Sequence, residues 1–122
     1  MANLFDDDTI NRVWQKGTVV PNYKAELYRK DACGAWMMRS EYGSESSLGW
    51  QIDHVYPVAK GGDDTIENLR PMQHQNNRSK GDNYPIYTGV IKAEGNNNID
   101  KEGQYTINAA LQETLNNLYK LR

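Results

Sequence analysis

The sequence predicts a small α+β domain, and three observations carry that prediction. A period-two run, "WQIDH" at residues 50–54, is followed by a Gly-containing loop and a second short apolar run, "NLRPM". A brief polar stretch, "HQNNRSKG", then reads as a helix stopped by Gly81. Near the C-terminus, Ile107, Leu111, Leu115, Leu118 and Leu121 recur at spacings of three and four, the stripe of an amphipathic helix. With 122 residues, a single domain spanning 1–122 is expected.

Taken in order, "DDDTINRVWQK" reads as an N-terminal helix. Asp8 or Thr9 can cap it, Ile10, Val13 and Trp14 share one face, and Gly17 follows its end. The next segment, residues 18–43, is mixed and broken by Pro21, with Arg29, Lys30 and Arg39 close to Tyr28, Trp36 and Tyr42. Residues 43–49 form a turn or loop, and Trp50 and Ile52 then alternate with Gln51 and Asp53 as in a strand. After the "KGGDDTIEN" loop, "NLRPM" is the return strand and residues 74–81 the short helix. "AEGNNNIDKEGQ" reads as a polar turn, and the final helix is expected over about residues 104–122.

Bulk properties narrow the function classes. The formal net charge is −2 and the pI about 5.6, so overall charge does not hold this chain on DNA. Mean hydropathy is −0.86 with 38% hydrophobic residues, which implies a modest core. The single cysteine, Cys33, cannot form an intramolecular disulfide, and residues 1–10 lack a secretory pattern. No apolar run approaches the roughly 18 residues of a membrane span. The cytoplasm is therefore the expected location, with no membrane partner.

A β-hairpin folded onto a helix brings residues near 53–54 close to residues near 77–80. The converging side chains are a carboxylate, Asp53, an imidazole, His54, an amide, Asn77, and an ammonium, Lys80. On a helix, Asn77 and Lys80 share a face at i and i+3. The segment "IDHVYPVAKGGDDTIENLRPMQHQNNRSKGD", residues 52–82, resembles the HNH endonucleases, the ββα-metal nuclease family. Asp53-His54 corresponds to the first element of the family motif, Asn68 to the second and Asn77 to the third. Pro57 and Gly61-Gly62 also fall at the family's spacing, which puts the motif core at about residues 50–82.

The resemblance, together with the chemistry of phosphodiester cleavage, implies roles. Neutral His54 is expected to be the general base on water. Asp53 and Asn77 offer hard oxygen ligands to one divalent cation, Mg²⁺ or Mn²⁺. Asn68 is expected to orient the loop so that the base points correctly, and Lys80 to meet the phosphate as a point charge. Asp63 and Asp64 are read as solvated turn residues, and Asp82 as a less favoured candidate for the metal or its waters. His74 is read as a packing or surface residue.

Some relatives of this kind brace the fold with a zinc ion held by two Cys-x-x-Cys pairs. Here the first pair is reduced to Cys33 with Trp36 in the second position, and Gln73 and Asn76 stand where the second pair would lie. No structural zinc is expected. Apolar packing by Trp36 and Met72 is expected to replace it, with Cys33 a small buried hydrophobe.

The resemblance implies duplex DNA as the substrate, with RNA or branched DNA left open, and a nick in one strand per catalytic centre, so a double-strand cut needs two encounters or a second copy, in a homodimer or larger complex. Two other readings stay open: a module that binds nucleic acid without cutting, and a subunit of a restriction, packaging or recombination complex that supplies targeting.

Overall fold

The computed structural model describes residues 5–121; Arg122, the last residue of the expected C-terminal helix, and residues 1–4 of the expected domain lie outside them. The first element, α1 (Asp7–Trp14), is capped by Asp6, whose carboxylate accepts from Thr9 N at 2.8 Å. The cap thus lies before Asp8 and Thr9, the residues expected to supply it, and leaves Asp7 and Asp8 in the first turn, where the helix dipole favours them. Ile10, Val13 and Trp14 are buried on one face, as the spacing predicts.

The mixed segment resolves into a small antiparallel hairpin of β1 (Tyr28–Lys30) and β2 (Trp36–Met38). A second antiparallel pair joins β3 (Trp50–His54) to β4 (Leu69–Gln73), with Trp50 opposite Gln73 and Asp53 opposite Arg70. The chain passes directly into α2 (His74–Lys80), whose N-terminus is capped by the Gln73 side chain and which ends at Gly81. A long hairpin follows, β5 (Ile86–Glu94) and β6 (Asn97–Thr106), and the last element is α3 (Ala109–Tyr119), capped by Asn108.

Two expectations are corrected here. Residues 93–104, read as a polar turn, belong mostly to the β5–β6 hairpin, and only Gly95 and Asn96 lie between the strands. Polar side chains suit β6 because nearly all of its residues remain at least partly exposed, while the apolar alternation sits on β5, where Tyr87 and Ile91 are buried. The C-terminal helix correspondingly starts at Ala109 rather than near residue 104, and of its stripe Leu115 is fully buried while Leu118 is exposed.

The β3–β4 hairpin separates two apolar clusters. One gathers Ile10, Val13 and Trp14 of α1 with Trp50, Ile52 and Leu69; the other joins Cys33, Val55 and Met72 to Tyr87, Ile107 and Leu115. Lys16, just past α1, donates to Leu69 O at 2.8 Å and also to Ile66 O, fixing that helix to the hairpin. On the other side α2 packs on both β3 and β5.

Where a zinc staple would sit, a buried polar network does much of the work expected of apolar packing alone. Asp31 Oδ1 accepts from Cys33 N and Ala35 N at 2.9 Å, and Oδ2 from Gln73 N and Asn76 Nδ2 at 3.0 Å. Asn76 also donates to Ile91 O and accepts from Val90 N and Ile91 N, so one amide clamps α2 to β5. Trp36 and Met72 are buried beside this network, as is Cys33. Both residues that stand at the second cysteine pair therefore reach across to the Cys33 loop, through hydrogen bonds instead of thiolates. Desolvation raises the Asp31 carboxyl above its ordinary range, opposed by the four donors just named.

Candidate active site

Strand β3 ends at His54, and Pro57 opens the turn that follows it. Neighbouring residues of a regular strand point to opposite faces, but at this terminus Asp53 and His54 both line one open cleft of about 230 Å³, together with Ile52, Pro57, Val58, Asn77, Gly81 and Asp82. The loop that returns to β4 is held tightly. Gly61 has φ +115°, and a Cβ on Gly62 would lie 1.8 Å from Tyr56 O, so the double glycine lets two backbone segments close on one another.

Asn68 is wholly buried under that loop. Its Oδ1 accepts from Tyr56 N at 2.7 Å, and its Nδ2 donates to Tyr56 O at 3.0 Å and Asp63 O at 3.1 Å. A single amide thereby fixes both the segment leaving His54 and the segment carrying Asp63 and Asp64. Asp64, read from the sequence as a solvated turn residue, places Oδ1 2.7 Å from His54 Nε2 while 73% of its side chain stays exposed. A carboxylate at Nε2 favours the tautomer protonated there, which leaves the Nδ1 lone pair to accept a proton.

Asp53 is in a different setting. It is 4% exposed and faces Arg70 across the hairpin, with Arg70 Nε donating to Oδ2 at 2.9 Å. Lys80, on the last turn of α2, lies 3.3 Å from Oδ1 and also donates to His54 O at 3.2 Å. Lys80 is fully buried, so its ammonium faces inward to Asp53 and the β3 backbone instead of standing where a phosphate could reach it. Burial lowers the Lys80 pKa, opposed by the Asp53 charge. Arg70 was not singled out in the sequence; the signal available was its position in the return strand opposite Asp53.

Asn77 is half-buried on α2, and its Nδ2 donates to Gln51 Oε1 at 2.9 Å. With the amide nitrogen so engaged, its carbonyl oxygen is the atom left for a ligand. Of the residues singled out for the site, Asp53, His54 and Asn77 meet at the cleft, joined by Asp82, while Asn68 and Lys80 support it from within. His74 is buried, and neither ring nitrogen has a hydrogen-bond partner among the described residues.

The donors suit a hard divalent cation in kind: two carboxylates and an amide oxygen border the same cleft, and no cysteine is among its lining residues. Among the described residues no group of three or more His, Cys, Asp and Glu is arranged to hold a metal ion, so an amide and water must complete any ligand set. Also among the described residues, no helix is long and apolar enough to cross a membrane.

Residues 46–86 match a family model described as HNH endonuclease, which covers β3, the loop, β4 and α2. No curated protein and no solved structure matches the chain.

Proposed function

With residues 46–86 an HNH endonuclease segment, a family of nucleases, we propose that this chain is a metal-dependent endonuclease that hydrolyses phosphodiester bonds of DNA. The observation that carries the reading is the shared cleft at the end of β3, where one imidazole, two carboxylates and one amide meet. On this reading the β3–β4 hairpin and α2 form a ββα-metal motif.

His54 takes a proton from the attacking water, through the ring nitrogen not held by Asp64. Asp53 and Asn77 are the residues that would hold Mg²⁺ or Mn²⁺, with Asp82 close by in the same cleft. When bound, the cation neutralises charge on the phosphate and on the departing 3′ oxygen. Asn68 keeps the His54 turn and the Asp64 loop in register with each other. Lys80 acts through Asp53 and the β3 backbone, a revision of the point-charge role expected from the sequence.

Duplex DNA is the proposed substrate and the cytoplasm the proposed compartment, the latter because a lone buried cysteine needs no oxidising environment. The test is nicking of supercoiled plasmid by wild type and His54→Ala with Mg²⁺, Mn²⁺, Zn²⁺ or EDTA. Conversion to open circle by wild type with Mg²⁺ or Mn²⁺ is expected, with loss in EDTA and a fall of about 100-fold or more in His54→Ala. Inert wild type in every metal, with DNA still retained in a mobility shift, would make the chain a binding module or a subunit awaiting its partner.

A further inference from the structure

Two cations converge on one buried carboxylate. Arg70 and Asp53 occupy directly opposed positions of the β3–β4 hairpin, so their side chains share a face, and the guanidinium is further held 5.1 Å over the Tyr87 ring. Lys80 reaches the other oxygen of Asp53 from α2. The three groups are all largely withdrawn from water, with side-chain exposures of 12% for Arg70, 5% for Asp53 and 0% for Lys80. Two positive charges and one negative leave this cluster with a charge of +1 beside the cleft that Asn77 and Asp82 border.

Resting on the metal-dependent reading above, we propose that Arg70 is a positioning residue for Asp53. It fixes the carboxylate through Oδ2 and, with Lys80, offsets the charge that would otherwise attract a divalent cation. The fixed geometry favours catalysis, while the counter-charge weakens cation binding until a DNA phosphate adds negative charge to the cleft. Orientation and affinity are therefore opposed in one side chain. Removing Arg70 should tighten metal binding and slow cleavage together, a combination that general loosening of the fold does not produce.

The test uses Mn²⁺ alone, titrated calorimetrically into the full-length wild-type, Asp53→Asn, Arg70→Met and Arg70→Lys proteins without DNA. Thermal melts and single-turnover nicking at saturating metal accompany it. Arg70→Met is expected to bind Mn²⁺ about threefold or more tighter than wild type, because a cation has been removed from the neighbourhood of the ligand. Its nicking rate is expected to fall about tenfold or more as Asp53 loses its orientation. Arg70→Lys keeps the charge without the guanidinium geometry, so it should bind Mn²⁺ like wild type and still nick slowly.

Mn²⁺ binding by Arg70→Met equal to or weaker than wild type would overturn the proposal, provided that Asp53→Asn has lost binding. If Arg70→Met does not fold, wild-type nicking by Arg70→Lys overturns it instead. Unchanged Mn²⁺ binding in Asp53→Asn removes Asp53 as a ligand and refutes the metal assignment itself, a distinct result.

Discussion

Burial raises the thiol of Cys33 from 9.0 to about 12, reinforced by the nearby Asp31 carboxylate. Tyr87, packed in the same cluster, is raised by burial to about 12, with Arg70 pulling the other way. In both groups the native state holds its proton more tightly than the unfolded chain does. The stability they contribute is therefore fully present below the unfolded values and is lost as pH rises through the window from 9.0 to about 12. Denaturant midpoints should fall across that window, and Tyr87→Phe should flatten the upper part of the fall. The same burial should leave Cys33 unreactive to a thiol reagent in the native protein at neutral pH and reactive once urea unfolds it. Sequence alone identified Cys33 as a small buried residue, because one thiol without partners has little else to do. It did not identify Asp64 or Arg70. Asp64 meets His54 only after the Gly61-Gly62 turn has folded back, and Arg70 meets Asp53 only through strand register.

The element that depends most on distant contacts is α2. At seven residues it is too short to persist alone, and it is held by the Asp31–Gln73–Asn76 network at its start and by Lys80 at its end. Asn76→Ala strands the part-buried amide of Val90 and the buried amide of Ile91 and removes a buried bond to Asp31. A loss of about 4 kcal/mol is expected in equilibrium urea unfolding. EDTA, in contrast, should leave the melting temperature of the wild type unchanged, since this brace is made of hydrogen bonds; a drop of several degrees on chelation would refute it. Strands β3 and β4, α2 and the existence of α1 and α3 were legible, because alternation, capping residues and heptad-like spacing are local signals. The β5–β6 hairpin was not. Its β6 partner is rich in Asn, Asp, Lys and Glu, which are depleted in strands, and it is stable through pairing with β5. The alternation of Tyr87, Gly89 and Ile91 was the available clue, and all three are read in the structure as the inward face of β5.

For the molecule as a whole, a net charge of −2 offers little general attraction to a polyanion. Contact with DNA must then be local, and with few phosphates touched cleavage should fall off only gently as salt rises. The single cleft of this kind found among the described residues predicts that open circles accumulate well before linear plasmid, with linear product rising in proportion to a second, independent encounter. Linear product appearing from the first turnover would mean that two copies act together. The site's spacing was legible across residues 53–77, while its electrostatics were not, because they depend on which side chains the hairpin and α2 fold inward.

Asp63 lies beside Asp64, and its carboxylate accepts from Tyr119 Oη at 2.6 Å while Tyr119 stacks on Tyr56 at 5.3 Å. The last helix is thus fastened to the very turn that supports the histidine. Phe5, at the other end of the described residues, sets its ring 6.1 Å from that of His54, so a handle fused at either end strains a contact that steadies the histidine and lowers the measured rate.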